Sequence, residues 1–565
     1  MQKNLRKKLI DLDSLGKTRI GFFLTIVLTI FFFYEMGNRP FADPDEGRYV
    51  EIPREMVETG DFVTPRLNGL KYFEKPPLFY WMQVASMQVF GINETSMRLW
   101  PVIFAILGCL GVFWIGARSY SSVVGLISSA VLATNILYYA HSRLIILDLV
   151  LTVLMSGALW CFFIAFVAKR SAGLARPYYI VASYALSALA CLTKGLIGAV
   201  LPGVIALTWV ICTRNWMKIR EMLHWPGILV FFAIFLPWHI LMCLHHDDFL
   251  HFYFIVEHFQ RYISTIHHRY QPGWFFLAIL TVGLLPWTGF VLISLKNACQ
   301  KAFKHDEENV FFICWIFWIF SFFSLSSSKL IPYILPILPP IALITGIALD
   351  DLAKRNFKGF KAAISINIGV IGGVILLYFA QISNLDISDV LSNKQAQLLL
   401  IIFSGFLLAM TIVHFLFFRI SKIVSFIIYI FCGMNMMWII NKAAVYYQKV
   451  KKPSTRRLAE AIQLNRREGD LVFCYKRYYQ DFPVYLNSTV GVVDFVGELE
   501  FGANAEKSDD RLMGEDAFWK LWKETNRRIF LLLSRENCQK LLSMRNLPWH
   551  NVLDIDDAFI VITNK

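Results

Sequence analysis

The sequence predicts a polytopic α-helical membrane protein, with about thirteen transmembrane helices and a C-terminal soluble α/β domain. Three observations carry this reading. The 565 residues are 56% hydrophobic and 17% charged, whereas soluble globular chains are nearer a quarter charged. The apolar residues gather in runs of about 20, the length that crosses the hydrocarbon layer at 1.5 Å per residue. Beyond residue 445 the long runs give way to short ones separated by polar, helix-periodic segments.

Spans are expected near 20–37, 97–117, 121–138, 148–168, 178–194, 196–212, 226–244, 273–294, 310–326, 331–349, 361–381, 396–417 and 421–441. The basic start (Lys3, Arg6, Lys7, Lys8) leads into a stretch that is long enough to span and shows no small-residue cleavage site. The net charge of +14 sits mainly in short loops between spans. That pattern signals topology and membrane lipids as partners, with no nucleic acid. With the N-terminus in the cytoplasm, clusters such as Lys169/Arg170/Arg176, Arg214/Lys218/Arg220, Lys296/Lys301/Lys304 and Lys354/Arg355/Lys358 fall inside. The short outer loops hold only Arg143, Lys194, Arg261, Arg269, Lys329 and Lys394. An odd number of spans then places the tail outside. The expected division is a transmembrane domain over 1–445, with long outer loops 38–96 and 245–272, and a soluble α/β domain over 446–565.

In the tail, 471–475 (LVFCY), 490–493 (VGVV), 529–533 (IFLLL) and 559–562 (FIVI) read as strands, and 454–466 and 515–526 as helices. Their alternation suggests a partly parallel sheet. Most of the ten cysteines lie in spans and none form CxxC pairs, which disfavours zinc-ribbon and thioredoxin-like sites. Cys474 and Cys538 are as readily two free thiols as a pair.

The first outer loop contains Asp43-Pro44-Asp45-Glu46-Gly47-Arg48-Tyr49. On spacing alone this is a helix start, with Asp43 as N-cap, Pro44 at the first position, and Asp45 and Glu46 in the first turn. A carboxylate left over from that role would accept a proton or hold a cationic group at the membrane surface. Further on, Tyr72-Phe73-Glu74-Lys75-Pro76-Pro77 forms a rigid turn. Glu74 and Lys75 there are either an exposed ion pair or ligands for a cation and a phosphate. Asp148 opens an otherwise apolar span, where an acid is costly and functional by default; Arg143 is its expected partner. The second loop carries Glu257, His258 and Arg261, then His267, His268 and Arg269. His258 and Arg261 would share a helical face. The histidines with Glu74 form a weak candidate metal set, and Arg261 and Arg269 suit a lipid phosphate. Lys329 and Tyr333 suit phosphate or sugar recognition.

Taken together, Asp45-Glu46-Gly47-Arg48-Tyr49, Tyr72-Phe73-Glu74-Lys75-Pro76-Pro77-Leu78, Glu257-His258-Phe259-Gln260-Arg261 and Lys329-Leu330-Ile331-Pro332-Tyr333 resemble the bacterial membrane glycosyltransferases related to protein O-mannosyltransferases. The tail segment from Tyr475 to Leu486 (YKRYYQDFPVYL) is similar to the aminoarabinose transferases that modify lipid A. The likeness spans nearly the whole chain. It implies a GT-C type fold in the inner membrane of a Gram-negative bacterium. It also implies transfer of 4-amino-4-deoxy-L-arabinose, or a similar amino sugar, from undecaprenyl phosphate to a lipid A phosphate at the periplasmic face. By matching position, Asp45 is the catalytic carboxylate, with Glu46 beside it, and Asp148 supports the substrate or acceptor path. Lys75 and Arg261 hold the carrier phosphate, and Tyr72, Arg48, Arg269, Lys329 and Tyr333 complete the substrate site. Glu74, His258 and His268 (or His267) match a structural metal site, most plausibly zinc, and no nucleotide cofactor is expected.

The chemistry is consistent with these residue types. The leaving group is a phosphate anion, which Lys and Arg stabilise. A phosphate acceptor needs no strong base, so Asp45 would orient it or stabilise positive charge on the sugar; a hydroxyl acceptor would make Asp45 a general base. The alternatives are transfer of another polyprenyl-linked sugar to a different glycan or protein, a secondary transporter, or a scaffold or flippase-like protein. A transporter would place charges near the bilayer midplane and show internal repeats; neither is present in the sequence.

Overall fold

The computed structural model describes residues 2–169, 173–260, 271–355, 362–370, 372–373, 405, 422–451, 454–506, 511–543 and 550–565. The chain divides into two compact units. One comprises Met1–Glu35, Trp100–Ile240 and Leu250–Ala444; the other comprises Met36–Leu99, Leu241–Phe249 and Val445–Lys565. The first outer loop therefore shares one compact unit with the tail.

The first unit is helical. Among the described residues, seven helices are long and apolar enough to cross a membrane, and an eighth arises if one bent pair counts as a single span. Several expected spans are shorter or broken, each for a local reason. The stretch 121–138 is a 12-residue helix, Ser122–Ala133, followed by a separate turn, Ile136–His141. The Asn135 side chain caps that turn by accepting from Tyr138 N at 2.8 Å. The stretch 273–294 is Phe275–Gly283 and Thr288–Ala302, bent by 116° around Pro286. The bend leaves backbone groups that must be satisfied inside the unit. Asn367 Nδ2 and Tyr429 Oη donate to Pro286 O at 2.8 and 2.6 Å, and Asn367 Oδ1 accepts from Gly289 N at 2.6 Å. Pro332 and Pro336 turn the start of 331–349 into a 3-10 helix, Ile331–Ile337, before Leu338–Arg355. The expected span 361–381 is described over 362–370 and 372–373, and 396–417 lies outside the described residues apart from 405. Small residues permit close helix contact. A Cβ on Gly116 would stand 2.7 Å from the Cα of Gly125, and one on Gly198 would stand 2.5 Å from Ala190 C.

The second unit is built on a six-stranded sheet. Its strand order is Leu512–Met513, Gly491–Val493, Leu471–Tyr475, Ile529–Ser534, Phe559–Thr563 and Asn551–Ile555. The first four are parallel and the last two pair antiparallel. Leu471–Tyr475 and Ile529–Ser534 are central and nearly continuously apolar, as expected of strands covered on both faces. Helices Arg456–Asn465 and Glu515–Glu524 form close to where periodicity places them. Phe473, Phe518, Trp522, Leu531 and Ile562 form part of the core. Cys474 and Cys538 are both free and buried. Cys538 lies in that core with Phe473 and Tyr475; Cys474, between those two in the strand, points to the opposite face.

The outer loop is clasped to this sheet domain. Asn68 and Gly69, both at positive φ, turn the hairpin Arg66–Leu67/Leu70–Lys71. The Asn68 amide then exchanges two hydrogen bonds with Val490 backbone, at 2.8 and 2.9 Å. Gly47 lies directly against the Gln480–Asp481 backbone, where a Cβ would stand 2.6 Å from Gln480 O. Asp481 is fully enclosed here. Its Oδ2 accepts from Ser454 Oγ and Thr455 N, both at 2.9 Å. Burial, with the nearby Asp43 charge, pushes its pKa from 3.8 up to about 7. Between about pH 4 and about 7 the folded unit thus holds a proton here that the unfolded chain has released. The Asp481 contribution to stability therefore declines as pH rises through that window. Melting temperatures of the wild type and Asp481→Asn, measured across this range, are expected to diverge toward pH 7, with the variant the more stable there. Parallel curves would overturn the assignment.

Candidate active site

Helix Asp45–Thr59 starts one residue later than expected. Pro44 occupies the N-cap position without a side-chain bond. Asp43 does not cap; it accepts from Gln480 N at 2.8 Å and Arg477 at 2.6 Å. A proline ring offers no cap oxygen, and the tail supplies a stronger partner for Asp43 than the helix start would.

Asp45 is 60% exposed, and one carboxylate oxygen accepts from Arg48 Nη2 at 2.6 Å. Among the described residues its other oxygen has no partner. Arg48 is buried and holds three groups at once: Asp45, Glu498 at 2.6 Å and the Tyr72 hydroxyl at 3.3 Å. Burial opposes its charge, yet Tyr72, Glu498, Tyr49 and Asp45 together keep its pKa well above the ordinary value. Burial also pushes the Tyr72 phenol well up. Arg48 and Tyr72, expected as substrate contacts, are both buried here, and Arg48 holds Asp45 directly. Glu498 was not foreseen in the sequence, standing 450 residues from Arg48. Gln480 donates to it as well, at 2.7 Å. Removing this anchor in Glu498→Ala is expected to lower turnover by roughly 10- to 100-fold, with donor KM little changed, because Arg48 and Asp45 lose their fixed geometry. Glu498→Gln, which keeps an acceptor, should retain more activity; equal kinetics in wild type and Glu498→Ala would sink this role.

Glu46 is placed differently from its neighbour. It is 1% exposed and accepts from Arg39 at 2.8 Å, from Arg98 at 2.7 and 3.2 Å, and from Ala42 N at 2.9 Å. Its oxygens are engaged by the fold, which sets it apart from Asp45.

Glu74 and Lys75 stand before Pro76 and Pro77, with helix Leu78–Phe90 beginning directly after. Their side chains approach to 3.8 Å, and Lys75 Nζ donates to Glu74 O at 2.7 Å. Phe73 packs beside His246 at 5.0 Å between ring centres. His246 in turn meets the Thr64 hydroxyl at 3.0 Å.

In the helical unit, Asp148 is the first residue of helix Asp148–Phe162. Its ion-pair partner is Lys194, not Arg143. Lys194 ends helix Arg176–Lys194, and Gly195 at φ 97° turns the chain away. The Lys194 ammonium lies 4.1 Å above the Tyr333 ring. Arg143 instead donates to Tyr34 O and the Tyr139 hydroxyl, at 2.7 and 2.6 Å, where the helix ending at Phe33 leaves carbonyls to satisfy. Lys329 is buried and donates to Gln271 O and Ser326 O at 2.9 and 2.7 Å. The helical unit thus brings Asp148, Lys194 and Tyr333 together. Lys194 appeared in the sequence only as an outer-loop charge.

Arg261, His267, His268 and Arg269 lie outside the described residues, as does the side chain of His258. Its backbone belongs to a π-helical segment, His251–Gln260. Among the described residues no three His, Cys, Asp or Glu side chains converge as a metal site. Glu74 is the one expected metal ligand whose side chain is described.

Residues 19–253 match the dolichyl-phosphate-mannose-protein mannosyltransferase family, and residues 458–564 match the aminoarabinose transferase C-terminal domain. The chain is 30% identical over 440 residues to the undecaprenyl phosphate-alpha-4-amino-4-deoxy-L-arabinose arabinosyl transferase 1 of Proteus mirabilis, covering 77% of each chain. It is 31% identical to the corresponding Edwardsiella ictaluri protein over 64% of this chain; the match spans 65% of that protein's own length. The crystal structure of ArnT from Cupriavidus metallidurans bound to undecaprenyl phosphate superposes with a TM-score of 0.85 at 28% identity, covering 96% of this chain and 97% of that one. Its apo structure gives 0.83 at 27%. The many-helix unit and the acid–arginine cluster therefore belong to a multi-pass membrane protein of the glycosyltransferase class. Within that class, the chain belongs to the undecaprenyl phosphate-aminoarabinose arabinosyl transferase family.

Proposed function

We propose that this protein transfers 4-amino-4-deoxy-L-arabinose, or a closely similar amino sugar, from undecaprenyl phosphate to a lipid A phosphate at the periplasmic face of the inner membrane. The observation that carries the proposal is the likeness to the Proteus mirabilis arabinosyl transferase over 77% of both chains. An acceptor phosphate oxygen attacks the sugar's anomeric carbon. The bond from that carbon to the carrier phosphate breaks, and the electron pair leaves with undecaprenyl phosphate. Lys75 and Arg261 stabilise the departing phosphate. Asp45, held by Arg48 and Glu498, stabilises the positive charge that develops on the sugar. Asp148 and Lys194 orient the acceptor path.

The arrangement has about thirteen spans, with the N-terminal segment cytoplasmic and the tail periplasmic. Two observations support it: the bias of basic residues to one set of loops, and the membership of loop 36–99 and tail 445–565 in one compact unit. Segments of one folded body share one side of the bilayer, so the chain crosses an even number of times between them.

Zinc at Glu74, His258 and His268 (His267 as alternative) is part of the proposal, and no chemical step runs through it. Purified protein is expected to carry zinc by elemental mass spectrometry and to lose it in Glu74→Ala. Retention in that variant would remove Glu74 from the set.

Mass spectrometry of lipid A from cells with and without the protein tests the function. An added amino pentose dependent on the protein supports it. An unchanged lipid A profile under inducing conditions rejects lipid A as acceptor.

A further inference from the structure

A groove of about 460 Å³ is cut into the helical unit. It lies among helices Asp148–Phe162, Arg176–Lys194, Ile197–Thr213 and Trp225–His245. Its walls are almost wholly apolar, with Phe162, Phe166, Leu207, Phe231 and Phe232 in the lining. Two of the three hydroxyls in the wall are turned to backbone: Ser183 donates to Ala158 O at 2.9 Å and Tyr184 to Met222 O at 2.6 Å, while the third, Ser187, is buried. Leu207 and Phe232 are 48% and 46% exposed, so the groove opens outward. A Cβ placed on Gly203, in the same wall, would meet nothing within 4 Å.

One end of the groove is charged. The segment from Arg214 to Trp225 carries exposed Trp216, Met217, Leu223 and Trp225, an anchor for the bilayer interface. It also carries three basic residues. Lys218 is engaged, donating to Phe166 O at 2.8 Å and lying 3.5 Å from Glu307. Arg176 nearby is paired with Glu221. Arg214 and Arg220 are exposed, and among the described residues neither forms an ion pair. Along helix Ile197–Thr213 the lining runs from Leu207 to Ala199, about 10 to about 22 Å from Arg214 at 1.5 Å per residue.

We propose that this groove holds an acyl chain of an anionic phospholipid, with its phosphate at Arg214 and Arg220. An apolar slot at that depth takes a hydrocarbon chain, and two exposed guanidiniums without an ion pair among the described residues select for a negative headgroup. The leaflet is the cytoplasmic one under the orientation proposed above, on which only that label rests. The site is separate from the proposed sugar transfer.

Native mass spectrometry of the full chain tests this after equilibration in mixed micelles of phosphatidylglycerol and phosphatidylethanolamine. The wild type is expected to retain phosphatidylglycerol in preference. Gly203→Leu, which fills the slot, should lose it. Arg214→Ser and Arg220→Ser should each weaken its retention about fivefold and leave phosphatidylethanolamine unchanged. These two exposed positions keep the test valid if Gly203→Leu fails to fold. Equal retention of both lipids, unchanged phosphatidylglycerol in the arginine variants, or a polyprenyl phosphate as the species displaced by Gly203→Leu would each overturn the proposal. Lipid A modification, read separately, reports on the transfer reaction alone.

Discussion

Asp45→Asn is expected to lower sugar transfer by about 10²- to 10³-fold while the protein accumulates normally in the membrane. The side chain is 60% exposed, and its ion pair with the buried Arg48 stays open to solvent on the Asp45 side, while Arg48 keeps Glu498 as a second anionic partner. Such pairs contribute about 1 kcal/mol or less to stability. Asparagine keeps the oxygen that Arg48 contacts and removes only the charge. Loss of the lipid A product at unchanged membrane abundance is the supporting result, and full activity in the variant would reject the role of Asp45.

The next residue should fail in the opposite way. Glu46→Ala removes the carboxylate that compensates Arg98, a guanidinium with 0% exposure, and also Arg39. Breaking a buried pair by deleting one partner costs about 3–5 kcal/mol, a large part of the roughly 5–15 kcal/mol that holds a domain together. The expected result is low abundance and protease sensitivity of loop 36–99 and the tail, with activity falling because folded protein is scarce. Glu46→Gln, which keeps the shape, should be milder. Normal abundance and melting with activity alone abolished would return Glu46 to the chemistry.

These neighbours show where sequence reading stops. Both acids stood in a visible motif, and only the fold separates them, because burial depends on Arg98, 52 residues away. Likewise Asp148 was visible as an acid opening an apolar span, but its partner Lys194 lies 46 residues on, at a helix end that packing brings back. Central strands were legible because burial on both faces leaves unbroken apolar runs. The edge strands Leu512–Met513 and Asn551–Ile555 escaped notice, the first being two residues long and the second half exposed. Some signals were present and unread: Asn68-Gly69 is a strong hairpin dipeptide, and Asn135 and Pro286 mark the breaks in two apparent spans.

Asn68 and Val490, clasped in one unit, are 422 residues apart in the chain. At a synthesis rate of about 5–20 residues per second, the loop emerges roughly 20 to 80 seconds before its partner exists. During that interval Asn68, Gly47 and Asp43 have no surface to close on. Assembly around Asp45 therefore waits for synthesis of the tail, and a nascent chain interrupted before residue 490 carries the acidic motif without the body that positions it.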